Sequence, residues 1–338
     1  MKRTLALTAL ALVLFGCDRI VERQIEKNVT RADESVLTSP DLQVVICGSG
    51  SPLADPKRAS SCTAVIAGGE FVIVDAGPGS WEVLDLANLP VGHLSAVLLT
   101  HFHSDHIGGL GEATTQSWIA GRTQPLQVYG PEGVARVVEG FAVAYEHDVD
   151  YRVAHHGDAY MPRAAAGAIA TEVAIGEAPD ASAIVFERNG LKVTMFKVDH
   201  DPVRPAVGYR FDFAGRSIAI SGDTKKSSSV IEHAKGVDIL FHEALQADMI
   251  ARASTVAARL GRERLAKLAG DIAGYHTTPV EAAEVARDAG VGQLVLTHLV
   301  PAPNNFLTRR LFLAGVADVF KGKVVIAEDG MRFVLPPK

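Results

Sequence analysis

The chain carries His101-Phe-His103-Ser-Asp105-His106, three imidazoles and a carboxylate within six residues, directly after the apolar run Ala96-Val-Leu-Leu99. Alternate residues of an extended segment share a face, so His101 and His103 can grip one cation together. The turn that follows carries Asp105 and His106 to a second position nearby, and Gly108-Gly109 lets the backbone bend as the next helix starts. Imidazole with carboxylate suits zinc, at about 2.0–2.2 Å, and iron or manganese would accept the same set. The spacing outlines a site for two divalent cations.

Each remaining candidate ligand closes a strand-like apolar run, which is where a sheet presents functional groups. His200 follows Val193-Thr-Met-Phe-Lys-Val198 and supplies a third imidazole to His101 and His103. Asp223, in Ser221-Gly-Asp-Thr224, follows Ser217–Ile220 and can reach both cations with its two oxygens. His298 follows Leu294-Val-Leu-Thr297 and completes the second set with Asp105 and His106. Asp75 ends Phe71–Val74, a place for a carboxylate that orients a ligand histidine. Singly, each reads equally well as a satisfied core or turn residue; with the six-residue motif they form a set.

The elements that must hold these groups alternate along the chain. Leu42–Ile46, Thr63–Ile66 and Phe71–Val74 read as strands, the last two joined by the hairpin signal Gly68-Gly69. A helix opens at Pro131-Glu-Gly133 and runs to about Tyr145; Lys192–Val198, Val207–Phe213, Ser217–Ser221, Asp238–Phe241 and Gln293–Thr297 are further strands. Residues 244–273 carry Ala, Leu and Arg at helical spacing, and Thr278-Pro-Val-Glu281 is a capping box opening a helix that stops at Gly290. A last helix and a hairpin-like Val324–Val334 close the chain. No linker interrupts residues 41–338, which read as one domain.

The composition, 338 residues with 48% hydrophobic and 21% charged, is that of a globular protein with one large core, and a net charge of −6 argues against a nucleic-acid binder. Residues 1–17 form a separate leader. Lys2 and Arg3 precede the apolar stretch Leu5–Phe15, too short to span a bilayer comfortably, and Gly16-Cys17 resembles the end of a bacterial lipobox. That pattern makes Cys17 the acylated first residue of a periplasmic protein held to the membrane by an N-terminal lipid anchor; plain secretion is the alternative. The polar residues 18–40 then read as a tether. Cys47 and Cys62 remain, either bridged in an oxidising compartment or buried as thiols.

Taken in order, His101-x-His103-x-Asp105-His106, His200, Gly222-Asp223-Thr224 and Leu296-Thr-His298 resemble the metallo-β-lactamase superfamily, over nearly everything from Asp41 to Phe333. Gly48-Ser-Gly50, Gly208-Tyr-Arg210, His242-Glu243-Ala244 and His276-Thr-Thr278 are similar to motifs of its ribonuclease Z and arylsulfatase-like branch, with Leu245 a departure from the third of them. The resemblance implies an α/β fold, a four-layer αββα sandwich with two zinc ions between its sheets. It also implies a homodimer and a metal-dependent hydrolase in which Asp105 orients a water. His276 would then donate a proton or stabilise the transition state, with His242 and Glu243 orienting it.

In the tRNA-processing enzymes of that branch a long tRNA-gripping arm separates the third histidine from the bridging aspartate, whereas here His200 and Asp223 stand 23 positions apart. That departure, the acidic charge and the leader point away from nucleic acid. The expectation is an exported dinuclear zinc hydrolase of small phosphodiesters or aryl sulfates. A carbonyl-directed hydrolase, of a lactone or β-lactam, is the second reading, and a metal-binding lipoprotein without turnover the third.

Overall fold

Strands that are apolar at successive positions need cover on both faces, and the fold provides it. The computed structural model describes residues 18–338; the leader, its lipobox and Cys17 lie outside the described residues. The strands are β1 Leu42–Gly48, β2 Cys62–Ala67, β3 Glu70–Val74, β4 Ala96–Leu98, β5 Leu126–Gly130, β6 Ala168–Glu172 and β7 Ser182–Arg188. They continue with β8 Leu191–Lys197, β9 Val207–Phe213, β10 Arg216–Ile220, β11 Ile239–Leu245, β12 Gln293–Val300, β13 Lys323–Ile326 and β14 Arg332–Leu335. Two seven-stranded sheets result, in the orders β14-β1-β2-β3-β4-β5-β6 and β13-β12-β11-β10-β9-β8-β7.

The two sheets pack face to face. Leu42, Val44 and Ile46 of β1 point inward with Met195, Tyr209 and Phe211, while Val45 points outward with Ile66, Ile73 and Val97 against helices. On the far side Ala219, Leu240, Leu294 and Leu296 meet Val230, Ala282, Val285 and Ala286 of the covering helices. This is the expected αββα sandwich. In each sheet the strands β3 to β6 or β10 to β13 run parallel, so their carboxyl ends share one rim. Ligands bind outside such ends in open α/β sheets, because the loops leaving them converge there.

Four expectations change in detail. Val324–Val334 is no hairpin: β13 pairs with β12 in one sheet and β14 with β1 in the other. Asp329 pins the crossing between them, accepting hydrogen bonds from Ser49 N at 2.9 Å and Ala59 N at 2.6 Å. The helix expected to stop near Tyr145 runs Val134–His156. Residues 244–273 hold two helices, Ala247–Arg259 and Glu263–Ile272, broken at Gly261, whose φ is +69°. The stretch read as a tether is helical over 18–29 and docked from Asp33, whose N–H donates to Asn88 O at 2.8 Å. Cys47 and Cys62 are joined in a disulfide between β1 and β2. Among the described residues no helix is long and apolar enough to cross a membrane.

Candidate metal centre

The short strand β4 releases the chain at Thr100, and the extended segment to His103 leads into the single turn Ser104–Ile107. This local path places His101 Nε2 3.0 Å from His103 Nδ1. From the other sheet, the turn after β10 delivers Asp223. Gly222 has φ +62° there, and a Cβ on it would stand 2.5 Å from Val207 O, so only glycine fits. A bulge at His298 shifts the β11–β12 register between Glu243 and Ala244, and His298 adopts φ +45°. Asp75 is also left-handed, at φ +60°. Such backbone costs on the order of 1–3 kcal/mol per residue and concentrates at functional sites.

Asp223 Oδ2 is the hub. It lies 3.9 Å from His101 Nε2 and from His200 Nε2, 3.3 Å from His106 Nε2 and 3.4 Å from His298 Nε2. Asp105 Oδ2 is 3.1 Å from His298 Nε2 and 3.5 Å from His106 Nε2. Three groups have their donor atoms within 4.8 Å of one another among the described residues: His101-His103-His200-Asp223, Asp105-His106-His298, and Asp223-His298 with His276. The structure thus brings together all seven residues proposed as ligands.

Hydrogen bonds behind the rings fix which nitrogen faces inward. His106 Nδ1 donates to Asp75 Oδ2 at 2.7 Å, and His200 Nδ1 donates to Tyr275 O at 2.9 Å. His101 Nδ1 donates to Thr100 Oγ1 at 3.1 Å, and Thr100 in turn donates to Asp75. With the outer nitrogens protonated, the inner ones present lone pairs. Thr100 and Tyr275 escaped the sequence reading. A threonine at a strand end has an ordinary look, and Tyr275 acts through its backbone.

A metal fits this pocket on the chain's own terms. The inner Nε2 atoms of His106 and His200 are buried without a hydrogen-bond partner. Asp75, Asp105 and Asp223 are 2%, 6% and 2% exposed, and among the described residues their ion-pair partners are histidines alone. Buried carboxylates without a cation are costly, so the arrangement calls for positive charge at its centre. Burial holds His101 well below the usual imidazole range, against Asp223. Burial works against ionised Asp223, yet His298 and His106 hold it well below the ordinary carboxylate range.

Above the clusters, His276 Nδ1 donates to Glu243 Oε1 at 2.9 Å, and Glu243 Oε1 also accepts from Thr224 N at 3.0 Å. Burial would lower the His276 pKa, but the Glu243 carboxylate outweighs it, with Asp223 adding, and pushes it up to about 9. His242 takes no part, contrary to expectation. Neighbours on a strand face opposite ways, and its Nδ1 donates to Glu243 O at 2.8 Å. A cleft of about 970 Å³ opens beside His200, and its wall carries both cations, such as Lys226, and acids, such as Glu172 and Asp199.

Two seven-stranded sheets, covered by helices and carrying paired His/Asp clusters on one rim, define a class. The chain belongs to the metallo-β-lactamase superfamily of metal-dependent hydrolases, and a family model described as a beta-lactamase superfamily domain matches residues 71–299. Among its relatives, a Ribonuclease Z from Mycolicibacterium paratuberculosis is 38% identical over 291 residues, 85% of this chain and 96% of that one. A Ribonuclease Z from Mycobacterium bovis is 35% identical over 300 residues, 88% and 99% of the two chains. The solved human tRNase Z, short form, superposes with a TM-score of 0.62 at 22% identity, over 87% of this chain and 99% of that one. The Bacillus subtilis metallo-beta-lactamase fold protein YhfI gives 0.62 at 19% identity, over 87% and 99%. These two likenesses speak for the fold.

The relatives correct the expectation of an enzyme for small phosphodiesters or aryl sulfates, with nucleic acid excluded as partner. Chains named Ribonuclease Z match this one over 96–99% of their own length, so little of them is left for a long arm that this chain lacks. The short His200–Asp223 spacing was therefore no argument against RNA.

Proposed function

We propose that the protein hydrolyses phosphodiester bonds in RNA. The observation that carries this reading is the 35–38% identity, across almost their whole length, with chains named Ribonuclease Z. The metal centre supplies compatible chemistry. His101, His103 and His200 would hold one divalent cation, Asp105, His106 and His298 a second, and Asp223 both. Zinc in these sites would supply Lewis acidity, polarising a phosphoryl oxygen and lowering the pKa of a water from about 15.7 toward neutrality.

The chain's own residues do the rest. Asp105, held by His298, is an acceptor placed to orient an attacking water. His276 is protonated at neutral pH through Glu243, and its Nε2 is free to give a proton to the departing ribose oxygen.

A 5′-labelled stem-loop RNA with a 3′ extension, incubated with the protein before and after chelation and zinc add-back, tests the reading. Zinc-dependent cleavage is expected, with p-nitrophenyl sulfate left intact. Turnover of the sulfate with the RNA untouched would overturn it.

A further inference from the structure

The hairpin of helices Ala247–Arg259 and Glu263–Ile272 leaves the rim between Leu245 and Tyr275, so it is anchored in the metal centre at both ends. Leu245 N donates to Thr277 O at 2.8 Å, Gln246 N donates to Val300 O at 2.7 Å, and Tyr275 O receives His200. Beyond this base it stands clear of the body. Ile250 and Ala257 are its only fully buried side chains, and Ser254 Oγ bonds Ala266 O at 2.7 Å to hold the two helices together.

Its charge runs against that of the chain. Between Ala247 and Ile272 five cations face three acids, in a protein whose net charge is −6. Eight arginines elsewhere, from Arg31 to Arg309, sit on a carboxylate. Arg252, Arg259, Arg262 and Arg264 are exposed and, among the described residues, have no carboxylate partner. Arg252 and Arg259 are two turns apart and share a helix face. Thirteen residues of helix put the tip about 20 Å from the rim, at about 1.5 Å per residue.

Resting on the RNA reading above, we infer that this hairpin is a grip for the RNA backbone, with its four unpaired arginines binding phosphates several nucleotides from the bond that is cut. Arginine suits the task because its planar fork matches a phosphate and its charge is permanent. Contacts this far from the chemistry act on affinity and leave the metal centre alone.

The test replaces the four with glutamine (R252Q/R259Q/R262Q/R264Q), which keeps helix propensity. Anisotropy measures binding of the 3′-extended stem-loop RNA, and turnover is followed on that RNA and on bis-p-nitrophenyl phosphate. The expected result is binding weakened at least about tenfold, a log–log salt slope shallower by about 3–3.5, at 0.7–0.9 per lost contact, and unchanged bis-p-nitrophenyl phosphate turnover. Equal RNA binding with an equal salt slope overturns the grip and leaves the RNA reading standing. Wild-type protein that binds RNA through these arginines and never cuts it supports the grip and overturns the reading. The hairpin also exposes Leu260, Leu265 and Leu268, at 68%, 58% and 52%. If the quadruple variant changes sedimentation and not RNA binding, the hairpin joins two copies of the chain and the inference is wrong.

Discussion

The metal pocket and the arginine hairpin adjoin in the fold and differ in nearly every physical respect. In the pocket six of the seven ligand residues are buried, with His103 half-buried, and His101, His106 and His200 each have a partner behind the ring, as Asp75 is for His106 and Tyr275 O for His200. The hairpin's four arginines are exposed and, among the described residues, have no carboxylate partner. The contrast separates two tasks. Chemistry requires atoms fixed to a fraction of an ångström, which burial and hydrogen bonds achieve. Holding a long anion requires reach and charge, which a projecting helix pair offers at little packing cost.

If the pocket is the chemical half, its loss should be near total. Asp223→Ala removes the one carboxylate near both clusters, and RNA turnover should fall by about a thousandfold or more with both cations lost. Metal analysis and circular dichroism would check this; normal turnover with two bound cations would break the comparison on the pocket side. His276→Ala should cost about 10²–10⁴-fold in kcat with metal content intact, because it removes a proton donor and leaves both proposed ligand sets whole.

The pH profile follows from the sign of the His276 shift. The donor works only when protonated, so turnover should hold through neutrality and fall as pH rises through about 9. Glu243→Gln takes away the carboxylate that raises this pKa, so the same fall should move to lower pH. An unmoved alkaline limb would detach His276 from the chemistry. The smallest effect belongs to His242, buried yet outside the site. His242→Ala should lower stability by about 1–3 kcal/mol, read as a shifted denaturation midpoint, with kcat/KM unchanged.

How much was legible in the sequence differs along the same division. His101 to His106 could be read because the ligands are contiguous, and His200, Asp223 and His298 because each closes an apolar run. The bulge that turns His298 inward and the Thr100–Asp75 contact are tertiary events with no local signal. The edge strands β6 and β7 also went unread: both are half-exposed at the ends of their sheets, although β7 holds the apolar run Ala183-Ile-Val-Phe186. The helix past Tyr145 went unread because Val134 and Val138 are its only buried residues, so its second half shows no apolar stripe. The substrate expectation rested on the short His200–Asp223 spacing, the acidic charge and the leader, none of which touches the residues shared along the whole chain with its relatives.

The most direct test of RNA hydrolysis at this metal centre is competition. Bis-p-nitrophenyl phosphate hydrolysis by the zinc-loaded protein should be inhibited competitively by the 3′-extended stem-loop RNA, with an inhibition constant equal to the KM for cleaving it. Unaltered hydrolysis at RNA concentrations far above that KM would contradict the account.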